Sequence, residues 1–128
     1  MGKVTGIGGI FFKAAQPKEL QSWYEEHLGI PVDANGYIIF QWQELADPLK
    51  RATTIWATFP KDTKYFDPGV APFMINYRVD DLESLLTELR ARGVTVDEKI
   101  EDSEFGRFGW VIDPEGNRIE LWQPAEGR

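Results

Sequence analysis

The run Leu-Gly-Ile-Pro-Val-Asp, ending at Asp33, returns sixty-four positions later as Arg-Gly-Val-Thr-Val-Asp, ending at Asp97. Each copy follows an amphipathic helical pattern, which itself follows an apolar strand pattern, and each is followed by several more strands. In a chain of 128 residues, a repeat of this length means two copies of one supersecondary unit. The unit reads as βαβββ, over residues 4–60 and again over 72–124, with 61–71 as the linker. The fold class is therefore α+β, with two modules that each curl a half-open sheet that neither can close alone. A ligand belongs between them, since pockets gather at module interfaces. A ferredoxin-like domain also alternates strands and helices, but it leaves the extra strands of each half unexplained.

The first half begins with an apolar run, Val4 to Phe12, in which Gly6, Gly8 and Gly9 leave little bulk at the centre of a strand. Pro17 suits the first turn of a helix, where a missing N–H costs nothing. Leu20, Trp23, Tyr24 and Leu28 recur at helical spacing until Gly29, giving a helix over 17–28. His27, the only histidine, falls in the last turn, where it complements the helix dipole. That explains it without a catalytic role. Two strands follow, Tyr37–Trp42 and Thr53–Phe59, with Ile38, Phe40 and Trp42 on one face and Thr54, Trp56 and Thr58 on one face. If they pair, Trp42 and Trp56 line one wall of a cavity, the competing reading being plain core. Pro60, Pro68, Gly69 and Pro72 break the linker, and Lys61, Asp62, Lys64 and Asp67 keep it wet.

In the second half, Phe73–Val79 is a strand and Asp80-Asp-Leu-Glu83 resembles a capping box. Leu82, Leu85, Leu86 and Leu89 form the buried stripe of a helix over 81–92. A short strand over 94–100 and an acidic loop over 101–106 lead to the last feature, a β-hairpin turning at Asp113-Pro-Glu-Gly116. On its returning strand Ile119 and Leu121 share one face, and Arg118, Glu120 and Trp122 the other. If the apolar pair packs on a helix, Glu120 points across the sheet. There an ionised acid needs a compensating charge, hydrogen bond or metal. The alternative is an ordinary solvent-facing glutamate beside Arg118.

Composition narrows the function. Fourteen Lys and Arg against twenty-one Asp and Glu give a net charge of −7, with no basic patch, which opposes a nucleic-acid partner. No apolar run is long enough to span a bilayer, and no segment resembles a secretory signal. With no cysteines, a cytoplasmic location is expected.

Three passages together resemble one family: Trp23-Tyr24 with Leu28-Gly29, residues 73–82, and Asp-Pro-Glu-Gly-Asn-Arg-Ile-Glu-Leu at 113–121. The chain is similar to the vicinal oxygen chelate superfamily, which includes glyoxalase I, bleomycin-resistance proteins and extradiol dioxygenases. The resemblance implies two βαβββ modules forming a cup-shaped mixed sheet, a homodimer, and a divalent metal held by the first and last strands of each module. Carried over residue by residue, the four ligand positions fall at Gly8 or Gly9, near Trp56, at Met74 and at Glu120. Only Glu120 is a suitable donor. No family-type metal site is therefore expected. Glu120 with Glu44 or Glu104 is the one other conceivable metal arrangement.

Two function classes follow from the resemblance. One is a metal-free protein that binds a small planar or aromatic molecule in the inter-module cleft. The other is a lyase, isomerase or dioxygenase in which Glu120 is general base or metal ligand, with Arg78, Arg107 or Arg118 stabilising developing charge. The five tryptophans favour the first. The expected ligand-binding residues are Trp42, Trp56, Met74, Asn76, Arg78, Trp110, Arg118 and Trp122, with Trp110 paired across the hairpin to Glu120.

Overall fold

A computed structural model describes residues 2–33 and 35–128. The chain runs β1 (Val4–Ala14), α1 (Pro17–Leu28), β2 (Tyr37–Gln43), β3 (Arg51–Pro60), β4 (Phe73–Val79), α2 (Leu82–Ala91), β5 (Thr95–Val96), β6 (Glu101–Ser103), β7 (Gly106–Ile112) and β8 (Arg118–Pro124). All eight strands join one open mixed sheet in the order β2-β3-β1-β4-β8-β7-β5, with β6 also on β7.

The duplication is visible in the pairing. β1 lies parallel to β3 as β4 lies parallel to β8, and β2/β3 and β7/β8 are both antiparallel. β1 and β4 meet antiparallel at the centre and fuse the halves into one surface. Among the described residues the first half has two strands after its helix, where three were expected. Asp33, the repeat partner of Asp97, makes only local bonds, its N–H donating to the Tyr37 carbonyl and its oxygens accepting from the N–H groups of Asn35, Gly36 and Tyr37, while the Asp97 N–H donates to the distant Trp110 carbonyl.

The helices begin and end for local reasons. Pro17 occupies the first turn of α1, and Gly29 closes it at φ 72°, a left-handed conformation that costs glycine little. α2 is capped by Asp81, whose carboxylate accepts from the Ser84 N–H at 3.2 Å. The cap thus falls one residue later than the expected Asp80–Glu83 box, because Asp80 is engaged by the Lys3 N–H at 2.8 Å. At the hairpin, Asp113 accepts from the N–H groups of Glu115 and Asn117, both at 2.9 Å. The Asn117 bonds hold its carboxyl below the usual range.

Both helices lie on one side of the sheet. Under α2, Leu82 and Leu86 pack on Val79, Val111 and Leu121. Under α1, Tyr24 meets Trp56 and Phe12 edge to face. The opposite side carries a second, aromatic core of Phe11, Ala57, Phe66, Met74 and Trp110. Segment 61–71 is polar at Lys61, Asp62 and Lys64, yet it folds Phe66, 1% exposed, into that core beside Tyr65. No helix among the described residues is long and apolar enough to cross a membrane.

Candidate functional site

One row of directly paired residues crosses six strands: Ile39, Ile55, Gly9, Asn76, Glu120 and Trp110. Strand register brings side chains from both halves to one level, and the level is centred on Glu120. This carboxylate is 2% exposed. Its Oε1 accepts from Asn76 Nδ2 at 2.6 Å, and its Oε2 accepts from Trp110 Nε1 at 3.0 Å and from the Tyr65 hydroxyl. Three donors from three separate segments therefore converge on it, which is what a buried carboxylate requires.

The electrostatics follow from that enclosure. Burial pushes the Glu120 carboxyl above the usual range, and the bonds from Tyr65, Asn76 and Trp110 with the nearby Arg118 charge oppose the rise without cancelling it. Burial, then the Glu120 charge and hydrogen bond, hold the Tyr65 hydroxyl far above the ordinary phenol value. Tyr65 thus remains a donor at any working pH. Arg118 sits 4.8 Å from the centre of the Trp110 ring and 5.7 Å from that of Tyr65, and it donates to the Tyr65 carbonyl.

Above this floor opens a cavity of about 380 Å³. Its walls are mostly apolar and aromatic, with Phe11, Ile55, Phe59, Tyr65, Phe108 and Trp122 prominent among them. Phe59 stacks on Tyr65 at 5.6 Å and Phe108 on Trp122 at 5.9 Å, so two aromatic pairs from the two halves flank the opening.

Of the residues expected to line the cleft, Asn76, Trp122 and Glu120 do so. Met74 and Trp110 share their face but lie beneath the floor, at 1% and 2% exposure. Trp110 pairs with Glu120 as expected. Trp56 faces α1 on the other side of the sheet, because the set Ile55, Ala57 and Phe59 takes the cleft side of β3. Trp42 is also outside the cleft, since its indole N–H is bound to Thr54 at 2.8 Å and its ring fills the space beside Gly6. Arg78 turns toward a neighbouring cavity, and Arg118 braces Tyr65 from outside. Glu104 is not among the lining residues, and Glu44 belongs to that neighbouring cavity. Tyr65 was missed: nothing in a polar, proline-broken segment announces a side chain that reaches Glu120.

The family's divalent ion does not fit these donors. No group of three or more His, Cys, Asp or Glu side chains converges among the described residues. Both Glu120 oxygens are already engaged by protein donors, and Gly8 offers none. Gly8 is also closed to a side chain, because a Cβ there would lie 2.2 Å from Asn76 Oδ1 and 2.9 Å from the Trp122 ring. Gly8→Ala should lower stability by about 1–3 kcal/mol through overpacking. Urea unfolding checks this, and an unchanged midpoint would mean that the glycine is not needed for close approach.

A family model described as the Glyoxalase/Bleomycin resistance protein/Dioxygenase superfamily matches residues 10–121. The chain belongs to this superfamily. Superfamily structures share its fold at low sequence identity. Methylmalonyl-CoA epimerase from Streptomyces coelicolor superposes with a TM-score of 0.69 at 17% identity, covering 96% of this chain and 99% of that one. The epimerase from Mycobacterium tuberculosis gives 0.58 at 21% identity, over 95% and 89% of the two chains. A superfamily member from Vibrio splendidus gives 0.59 at 13% identity, over 96% and 99%. No curated protein matches the sequence significantly.

Proposed function

We propose that this superfamily member binds a small, flat, largely apolar molecule in the cleft above Glu120, without a metal ion. The carrying observation is that carboxylate's enclosure. Tyr65 and Trp110 take one oxygen and Asn76 the other, which suits a group that fixes the shape and polarity of a pocket floor. The aromatic walls supply contact area at little entropic cost.

Catalysis is the second reading, and one observation favours it. Burial makes Glu120 a stronger base than an ordinary carboxylate, as proton abstraction requires. Its Oε1 carries a single protein hydrogen bond, leaving that oxygen with one acceptor position unused, and Glu120 is among the residues lining the cleft. Glu120→Gln separates the readings: an enzyme keeps ligand affinity and loses turnover, whereas a binder has no turnover to lose.

The binding reading is tested with quinoline as a planar probe, followed by tryptophan fluorescence. Trp122→Ala should weaken binding by about 1–3 kcal/mol, the range for an aromatic anchor. Trp56→Ala should leave affinity unchanged, because Trp56 faces α1. Equal losses from the two variants would remove the cleft from the account.

A second copy of the chain is part of the same proposal. Ile7, Ile10 and Phe73, at 39%, 41% and 48% exposure, form an uncovered apolar strip on the helix side of β1 and β4. Light scattering should give twice the chain mass of 14.7 kDa.

A further inference from the structure

The cleft over Glu120 has a charge asymmetry that its apolar walls do not require. Among the described residues its charged lining consists of Asp33 and Glu120, without a lysine or arginine. Asp33 is exposed and in no ion pair with a described residue. The cations nearby lie outside the cleft, and each has an acid of its own. Arg118 is held by the Tyr65 carbonyl and by Asp97 at 3.5 Å, Lys99 by Glu101 at 4.0 Å, and Arg78, in the neighbouring cavity, is acted on by Glu44.

The hydrogen bonds show the same asymmetry. Asn76 Nδ2, Trp110 Nε1 and the Tyr65 hydroxyl all donate to the Glu120 carboxylate, and Trp122 Nε1 donates to the Phe105 carbonyl at 2.8 Å. Three donors on one carboxyl group suit its ionised form, which only accepts. What the floor still offers is acceptors. Asn76 is 2% exposed, and its Oδ1, which lies against Gly8, has no hydrogen-bond partner. Glu120 Oε1 keeps one acceptor position unused. A buried polar atom without a partner costs free energy, so its place in the floor of a cleft points to a ligand that brings donors.

These features decide the charge of the occupant. An anionic group would meet a carboxylate in a cleft without a cation, and a neutral carbonyl would meet two more acceptor oxygens. A cation is favoured by both. The carboxylate and the amide oxygen lie beneath it, and the rings of Phe59, Tyr65, Phe108 and Trp122 in the walls attract positive charge through their π systems.

We infer that the ligand of this cleft is a flat aromatic cation, of the class of protonated amino-heterocycles, whose N–H edge lies over Asn76 and Glu120 and whose ring lies among the aromatic walls. The inference rests on the binding reading above and adds the charge of the ligand to it. Asp33 attracts the cation at the rim, and Glu120 holds it at the floor. A positive charge placed there in turn keeps Glu120 ionised against its burial.

The test compares four compounds by titration of the full ¹⁵N-labelled chain: neutral quinoline, 4-aminoquinoline as a cation with N–H groups, N-methylquinolinium as a cation without them, and quinoline-4-carboxylate as an anion. 4-Aminoquinoline should bind about tenfold tighter than quinoline, N-methylquinolinium should gain less, and the carboxylate should bind more weakly than quinoline. The shifts should fall at Tyr65, Phe108 and the Trp122 indole. Asp33→Asn keeps the oxygen that accepts from Asn35 and Tyr37. It should lower the ratio of 4-aminoquinoline to quinoline affinity while leaving quinoline binding unchanged. Glu25→Gln, which removes the same charge from the exposed side of α1, should leave that ratio intact. Equal affinities for quinoline and 4-aminoquinoline, or tightest binding of the carboxylate, would overturn the inference and leave the binding reading standing. Failure of all four compounds to shift the cleft signals would remove both. A ratio lowered equally by Asp33→Asn and Glu25→Gln would trace the preference to the net charge of −7 instead of the cleft, and would overturn the inference as well.

Discussion

Trp110→Ala is expected to cost about 3–5 kcal/mol of folding free energy, the range for emptying a core site of a large aromatic. Domains of this size have about 5–15 kcal/mol in total, so the variant should be close to unfolding. The ring is 2% exposed and sits in the aromatic core with Phe11, Phe66 and Met74. Its indole N–H is also one of the three donors to Glu120. Trp110→Phe isolates that second role, since it keeps most of the packing and leaves Glu120 Oε2 with Tyr65 alone. Its cost should be about 1–3 kcal/mol. Urea unfolding measures both. If Trp110→Ala is no worse than Trp110→Phe, packing beneath the cleft floor matters less than the structure indicates.

The other large effect is a pH dependence with an unusual sign. Because burial raises the Glu120 pKa in the folded chain, the native state binds this proton more tightly than the unfolded chain does. Its contribution is fully present below the unfolded value, about 4.3. It is lost as pH rises from there through the raised folded value. The slope can reach about 1.4 kcal/mol per pH unit within that window. Asp113, held below its usual range by Asn117, behaves oppositely: it stabilises above its unfolded value and the gain is lost as pH falls. Subtracting the pH profile of Glu120→Gln cancels Asp113, which sits at the distant hairpin tip. The difference between parent and variant should shrink steadily with rising pH above about 4.3. A difference that grows would mean that the three hydrogen bonds and Arg118 outweigh burial, and that Glu120 is an acid stronger than usual.

Much of this architecture was legible in local chemistry. Pro17, Gly29 and the leucines of α2 set the helices, and Asp113 with Gly116 sets the hairpin register that pairs Trp110 with Glu120. Alternation in β8 then sends Glu120 away from α2, because Ile119 and Leu121 must face it. β3 was harder. Thr54-Trp56-Thr58 and Ile55-Ala57-Phe59 are both credible inward faces, and only the packing of Tyr24 on Trp56 decides between them. Arg78 shares the parity of Asn76, but its guanidinium lies between the Trp42 and Trp122 rings and reaches Thr53, in the neighbouring cavity, beside a stretch of β1 whose register with β4 is irregular. Tyr65 was invisible for a different reason. Its position depends on a contact between residues fifty-five apart, and no periodicity in a connecting segment encodes such a contact.

The central claim is that the aromatic cleft over Glu120 takes a flat small molecule without a metal. Its most direct test is a ¹⁵N titration of the EDTA-treated chain with quinoline. The account predicts saturable shifts at the amides of Phe11, Ile55, Phe59, Tyr65 and Phe108 and at the Trp122 indole, with Trp56 unmoved. Binding that appears only after a divalent metal is added back, or shifts confined to the α1 side of the sheet, would contradict it.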